Sequence, residues 1–315
     1  MNILKKLRLF KNTRKVVLTA FQYIILIGLC YYILSPIFLK ISMSFMSEND
    51  LLDKLVVYIP RKITFWNYKT AASYLSYWQG LFNTFLISAF AGIIQMMVCT
   101  FIGYGLARFE FKGKSLIMLV VFLTIITPPM TYQTPMYLFF RYFDVFGLIK
   151  LIHGSAINLL DSFWPLFILS ITGFGFKNGV YIYMMRQYFR GFPAELEEAA
   201  YVDGSGVFRT FFVVILPNAK AMLVTIFMFA FAWQWTDTLY STMFFSKIKT
   251  LSNLLSKGFE GMMVAGRELG LKGGQPLTIA LTGTYSLMVI IPLILIYIVV
   301  QRQVTEGIER SGIVG

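Results

Sequence analysis

Charge, histidine and cysteine are all scarce in this chain, and each shortage excludes something. Asp, Glu, Lys and Arg make up 14% of the 315 residues, against 57% hydrophobic residues. Mean hydropathy is +0.68. A soluble domain cannot hide that much apolar surface, so lipid must be the solvent. His153 is the single histidine, and the two cysteines, Cys30 and Cys99, both fall in apolar runs. That excludes a disulfide framework and leaves no His/Cys set to hold a metal. With one histidine, no paired acids in the apolar runs and no nucleophile elbow, no catalytic constellation is visible. A nucleotide loop is missing too. Gly113-Lys114-Ser115 mimics the end of a P-loop, but Arg108 stands where its first glycine is required.

The uncharged runs are what the chain has in abundance. Val16–Leu39 carries no charge, nor do the stretches between Lys69 and Arg108, Lys114 and Arg141, and Lys272 and Arg302. Each is long enough for a spanning helix of about 20 apolar residues. Weaker candidates lie between Asp161 and Arg186 and between Lys220 and Ser246, so six spans are expected. The net charge of +13 fits loops and lipid headgroups of a membrane protein rather than a nucleic-acid partner. Residues 1–15 hold Lys5, Lys6, Arg8, Lys11, Arg14 and Lys15 without an acid, which places the N-terminus, and after six spans the C-terminus, in the cytoplasm. The expected organisation is a basic tail over 1–15, a transmembrane domain over 16–301 and a cytoplasmic tail over 302–315. The N-terminal run reads as an uncleaved first helix, being too long for a signal peptide and lacking a small-residue cleavage site.

Two spans are irregular. Pro128, Pro129 and Pro135 interrupt the third, about Ser115–Phe139. Each proline removes a backbone donor, so the freed carbonyls must face protein or water rather than lipid. Gly173, Gly175, Lys177 and Gly179 interrupt the fourth. Lysine at membrane depth costs about 2.5–3.5 kcal/mol on insertion scales. Either Lys177 faces a wet cavity or residues 171–179 form an outer re-entrant turn, and the turn is slightly favoured. A segment with Leu251, Leu254, Leu255 and Phe259 at helical spacing suggests a short interfacial helix before the last span.

The polar loop at about 191–217 stands apart. Pro193 suits a helix first turn. Glu195, Glu197 and Glu198 follow near the positive end of the helix dipole, with Leu196, Ala199 and Ala200 on one face. Gly204 can take the positive φ that ends a helix. A second helical stretch has Val207, Phe208, Phe211, Phe212 and Ile215 on its apolar side, and Pro217 starts the fifth span. The periodicity alone fits either a helix–turn–helix elbow that grips a soluble partner or an amphipathic loop resting on lipid.

The residues of this loop resemble the coupling loop of ATP-binding-cassette (ABC) importer permeases: Glu-Ala-Ala, three residues, Gly, nine residues, Ile, any residue, Leu-Pro. Glu198, Ala199, Ala200, Gly204, Leu216 and Pro217 stand in those places, and Val214 replaces the Ile. Ala107-Arg-Phe-Glu-Phe-Lys-Gly-Lys114, the run Arg186–Ala200, Trp235-Thr-Asp-Thr-Leu-Tyr240 and the tail from Val304 resemble segments of the carbohydrate branch, the second permease of maltose-type systems. Thr236, Tyr240 and Ala221 depart from the usual Asn, Trp and Pro. The resemblance implies an all-α integral membrane protein of the type I ABC importer permease fold, with six transmembrane helices and a cytoplasmic coupling helix, in a bacterial-type cytoplasmic membrane. It also implies a second permease forming a heterodimer, two ATPase subunits that bind ATP and Mg, and an extracytoplasmic solute-binding protein, with no cofactor in this chain itself. Glu195, Glu198, Ala199, Ala200, Asp203, Gly204 and Pro217 would contact or shape the ATPase joint.

Trp233, Gln234, Trp235, Asp237 and Tyr240 combine aromatic faces with amide and carboxylate groups, the chemistry of a sugar pathway. Trp and Tyr also mark membrane interfaces, and Asp237 can equally bridge to a neighbouring chain. A non-sugar solute would use the same elbow. An ion-coupled carrier is disfavoured because only Lys177 and Asp237 are buried ionisable candidates, with no inverted repeat visible.

Overall fold

The computed structural model describes residues 2–268 and 274–310. The tail beyond Arg310 and the basic side chains before Lys15 lie outside the described residues, as does the side chain of Phe259. Among the described residues the regular structure is helical, apart from one isolated bridge between Phe143 and Ile157. The helices that matter here are α1 (Asn2–Ser44), α2 (Tyr77–Arg108), α3 (Lys114–Ile126), α4 (Gln133–Arg141), α5 (Trp164–Ile171), α6 (Asn178–Arg190), α7 (Glu195–Val202), α8 (Lys220–Thr236), α9 (Leu239–Phe244), α10 (Leu251–Glu268) and α11 (Gly274–Arg310).

Three of these, α1 from Lys15, α2 and α11 to Glu309, are long and apolar enough to cross a membrane unbroken. Two helix pairs pass the same test only when taken together: α3 with Pro129–Arg141, bent by 99°, and Val207–Asn218 with α8, bent by 77°. Among the described residues the count is therefore three, or up to five if each bent pair is one span, where the sequence suggests six. The expected fourth span is split into α5, of 8 residues, and α6, of 13 residues. The expected fifth ends early: α8 stops at Thr236, Asp237 is extended, and α9 begins at Leu239.

The chain divides into two compact units, residues 1–74 with 259–287 and residues 75–258 with 288–315. In the first, the stretch after α1 folds onto the end of that helix. Asn67 Nδ2 donates to the carbonyls of Met43, Ser44 and Met46, at 3.3, 3.1 and 2.9 Å. The Asn67 amide thus gives carbonyls of the last turn of α1 a partner, and the Ser44 and Tyr68 hydroxyls share a 2.9 Å hydrogen bond beside it. Within this chain the most hydropathic part of α1 is wholly unburied.

The second unit is built around α2, which packs on α8, α6 and α5, while α3 packs on α6. Lipid tails are as apolar as the side chains, so burial does not drive these helices together; close van der Waals packing must. Glycine supplies the closeness. A Cβ on Gly103 of α2 would lie 2.5 Å from Met185 Cβ of α6. One core cluster gathers Cys99, Tyr104, Met185, Phe189, Phe211, Ile215 and Met222 at the elbow end of these helices. A second gathers Ile87, Phe140, Leu166, Tyr240 and Phe244. The start of α10 also belongs to this unit. Leu251 is fully buried and its N–H donates to Thr84 Oγ1 of α2 at 2.8 Å. The helix expected here is thus anchored by protein contacts at its first turn.

Candidate functional site

The elbow begins where α6 ends. Its first helix, α7, runs from Glu195 to Val202 with Ala194 as N-cap, two residues after the expected start at Pro193. Ser205 N donates to Ala200 O at 2.9 Å and Gly204 N to Tyr201 O at 3.0 Å. With Gly204 at φ +82°, this is a Schellman C-cap, and the glycine is needed because the position is left-handed. The second arm passes from Val207–Thr210 through a π-helical turn, Phe211–Ile215, into Leu216–Asn218, which holds Pro217. Phe211 and Ile215 enter the core, while Phe208 is 80% exposed. The expected apolar face is therefore divided, with Phe211 and Ile215 turned inward and Phe208 outward.

Glu195, Glu198, Ala199 and Asp203 lie on the exposed side of the elbow, with Leu196 and Val202 beside them. Pro217 is exposed as well. Ala200 does not share that side: it is 8% exposed and packs inward. Its small size serves the fit of α7 to its own chain. Glu197 is also turned inward. Its carboxylate lies 2.8 Å from Arg108 Nε, with the two side chains 10% and 16% exposed. The contact is close enough for an ion pair but is not aligned as a hydrogen bond. Arg108 Nη2 also donates to Phe192 O at 2.6 Å. The last residue of α2 thus grips both the entry to the elbow and its first helix.

The five residues expected along a pathway separate by environment. Trp235 is buried, and its Nε1 donates to Val289 O at 3.0 Å. Gln234 is 4% exposed with an unpartnered Nε2. Asp237 is 5% exposed and accepts from Tyr240 N at 3.2 Å, Ser241 N at 2.9 Å and Ser241 Oγ at 3.1 Å. It therefore caps the N-terminus of α9, satisfying donors the helix cannot. Tyr240 is buried with its hydroxyl 3.5 Å from that of Tyr132. Trp233 alone of the five is open, at 47% exposure. Its ring lies 5.0 Å from Lys177 Nζ and packs edge-on against Phe176 at 5.7 Å. Lys177 is exposed at the N-cap of α6 with φ +65°, in the turn between α5 and α6. Lys177 thus stands in a turn, as one expectation has it, and also lines a cavity, as the other has it.

A profile of the family described as the binding-protein-dependent transport system inner membrane component matches residues 99–305. The chain belongs to that family. It is a multi-pass membrane permease component. It is similar to the alpha-glucoside transport system permease protein AglG of Rhizobium meliloti (strain 1021), at 26% identity over 259 residues, covering 81% of this chain and 62% of that one. It is similar at 26% identity to the galactooligosaccharides transport system permease protein GanQ of Bacillus subtilis (strain 168), over 96% and 98% of the two chains. Its fold matches a crystal structure of a bacterial ABC transporter involved in the import of the acidic polysaccharide alginate, with TM-score 0.67 and 22% identity over 94% and 96% of the chains.

Within this permease, the Arg108–Glu197 pair is the element that reading along the sequence missed. Both residues lie in segments noted for their resemblance to the family, the Ala-Arg-Phe turn and the elbow. They are 89 positions apart, however, and their pairing is visible only once α2 and α7 are packed.

Proposed function

We propose that this chain is the transmembrane permease subunit of an ATP-driven, solute-binding-protein-dependent importer whose cargo is a carbohydrate. The observation that carries this reading is the elbow: an outward face of Glu195, Glu198, Ala199 and Asp203 on a capped helix that is bolted to α2 through Glu197 and Arg108. A rigid arm of this kind transmits a push. ATP and Mg are held by two partner ATPase subunits, and closure of that pair moves α7. The ion pair passes the displacement to α2, and the arm Val207–Asn218 passes it to α8 through the 77° bend. Those two helices pack against each other, so the bundle switches between inward and outward openings around the solute. Glu198 makes the charged contact with the ATPase groove, and Ala199 permits the close fit. The partner permease forms a heterodimer with this chain, an extracytoplasmic binding protein delivers the solute, and both termini lie in the cytoplasm. The named transport roles of the similar permeases, alpha-glucoside and galactooligosaccharide, favour a saccharide over other solutes. The exposed Trp233 offers the flat face on which a sugar ring stacks.

The test is gentle purification of the tagged chain from its native membrane, with Glu198→Cys cross-linking, followed by mass spectrometry. A second permease, an ATPase linked at position 198 and a solute-binding protein are the expected companions. Recovery of the chain alone, with no ATPase cross-link, would favour a stand-alone carrier and end the coupling reading.

A further inference from the structure

Three helices of the second unit meet the elbow: α2 ends at Arg108, α6 ends at Arg190 and α8 starts at Lys220. Thirteen residues along each from that end stand Gln95, Lys177 and Trp233. At 1.5 Å per residue this is about 20 Å from the elbow, less than the thickness of about 30 Å of a hydrocarbon core. The three residues therefore stand at one level of the helix bundle, with Lys177 Nζ 5.0 Å from the Trp233 ring. Asn178 is beside them, 1% exposed, with neither side-chain amide atom hydrogen-bonded, and Gln95 Oε1 is buried and unpartnered too. Gly175 presses its backbone between the two amides: a Cβ there would lie 2.9 Å from Gln95 Nε2 and 3.1 Å from Asn178 Oδ1.

Lys177 is the charge at this level. Among the described residues it has no carboxylate partner. Its ammonium rests 5.0 Å from the Trp233 ring and 5.4 Å from that of Phe176, and it lines a cavity of about 780 Å³ with Thr124, Tyr132 and Asn178. An ammonium inside a bilayer is costly unless it meets water or an anion. Contact with aromatic faces returns only about 0.5–2 kcal/mol. The start of α6 adds the positive end of a helix dipole at the same point. A cation, a helix N-terminus and an exposed indole are together the chemistry that recognises a sugar ring bearing a negative charge.

We propose that Lys177 selects the carboxylate of an acidic oligosaccharide, one containing a uronic acid, while Trp233 stacks on the sugar ring. This rests on the reading of the chain as a carbohydrate importer permease and names the substrate class for that same pathway. Lys177 donates to the carboxylate, and Asn178, which lines the same cavity, supplies a neutral hydrogen bond. A neutral saccharide would leave the ammonium unpaired, so discrimination arises from the cost of that unpaired charge as well as from the attraction.

The test uses the complete importer with its own binding protein in lipid nanodiscs. ATP hydrolysis is measured against neutral probes (maltotriose, trehalose, galactotriose) and acidic ones (tri-galacturonate, tri-mannuronate, tri-guluronate). Acidic probes are expected to stimulate the wild type. Lys177→Met should weaken their half-saturation by about tenfold, the scale of one lost charge-assisted hydrogen bond, and Lys177→Arg should restore it. Stimulation by neutral probes alone overturns the assignment and leaves the carbohydrate reading intact, whereas stimulation by no saccharide overturns both. If Lys177→Met depresses basal hydrolysis and assembly equally whatever the probe, the lysine pairs with the second permease, and the selectivity role is refuted.

Discussion

Breaking the Arg108–Glu197 pair should cost stability and uncouple ATP hydrolysis from transport, and the two effects can be measured separately. At 2.8 Å the gross attraction between unit charges is about 6 kcal/mol for an effective dielectric near 20. Desolvation of both groups offsets most of it. Removing one partner leaves the other charged in a site where only 10–16% of the side chain meets solvent. Breaking a buried pair in this way costs about 3–5 kcal/mol, and the low end applies here because Arg108 keeps its bond to Phe192 O. Glu197→Gln is therefore expected to lower the unfolding free energy of the purified permease by about 3 kcal/mol, a shift of roughly a hundredfold in the equilibrium. Arg108→Met should cost a similar amount. The double variant leaves no orphan charge and should be no less stable than the worse single one, with a coupling energy of about 2–3 kcal/mol. Denaturant titration in detergent reads these values, and the ratio of solute moved to ATP hydrolysed in proteoliposomes reads the coupling. Each single variant should hydrolyse ATP with reduced uptake. Strictly additive losses in the double variant, or a normal transport ratio in Glu197→Gln, would refute the role of the pair as the bolt between α2 and the elbow.

Two further outcomes follow from the packing and the charges. Gly103→Leu should collapse the yield of monodisperse protein, because its Cβ would meet Met185 Cβ at 2.5 Å and Arg186 N at 3.0 Å, whereas Gly105→Leu, with nothing within 4 Å, should be tolerated. Asp161 accepts from Ser246 N, Ser246 Oγ and Lys247 N. The Ser246 hydroxyl bond above all, with the two backbone donors, holds its carboxyl below the ordinary carboxylate range. With the folded value depressed, the contribution is complete above the unfolded value of about 4 and is lost as pH falls through the folded one. Asp161→Asn should therefore flatten the loss of thermal stability between about pH 5 and pH 3, and an unchanged acid slope would show that the staple contributes nothing.

Much of the elbow was legible because its determinants are local. A proline at the entry, acids in the first turn and a glycine at the left-handed position specify helix start and stop within a dozen residues, and the structure builds α7 and its Schellman cap at those signals. The inward turn of Ala200 and Glu197 was not legible. Helical periodicity sorts residues into faces but does not say which face meets the chain's own core, and Arg108 comes from a helix nearly ninety positions earlier. Asp237 shows the same limit. From the sequence it is a carboxylate in an apolar run; that α8 stops at Thr236 and the acid caps α9 is visible only in the fold.

By itself, the sequence determined that this is a helical membrane protein, that prolines and glycines break the third and fourth apolar runs, and that a polar elbow lies between the fourth and fifth. Hydropathy, backbone donors and turn stereochemistry act over one or two turns of chain, so they can be read without a partner in space. Only the tertiary structure decided how sharply the runs bend, which residue of the elbow is bolted to α2, and that Gln95, Lys177 and Trp233 stand at one level. Those are distances between segments remote in sequence, set by how closely glycine-faced helices approach one another.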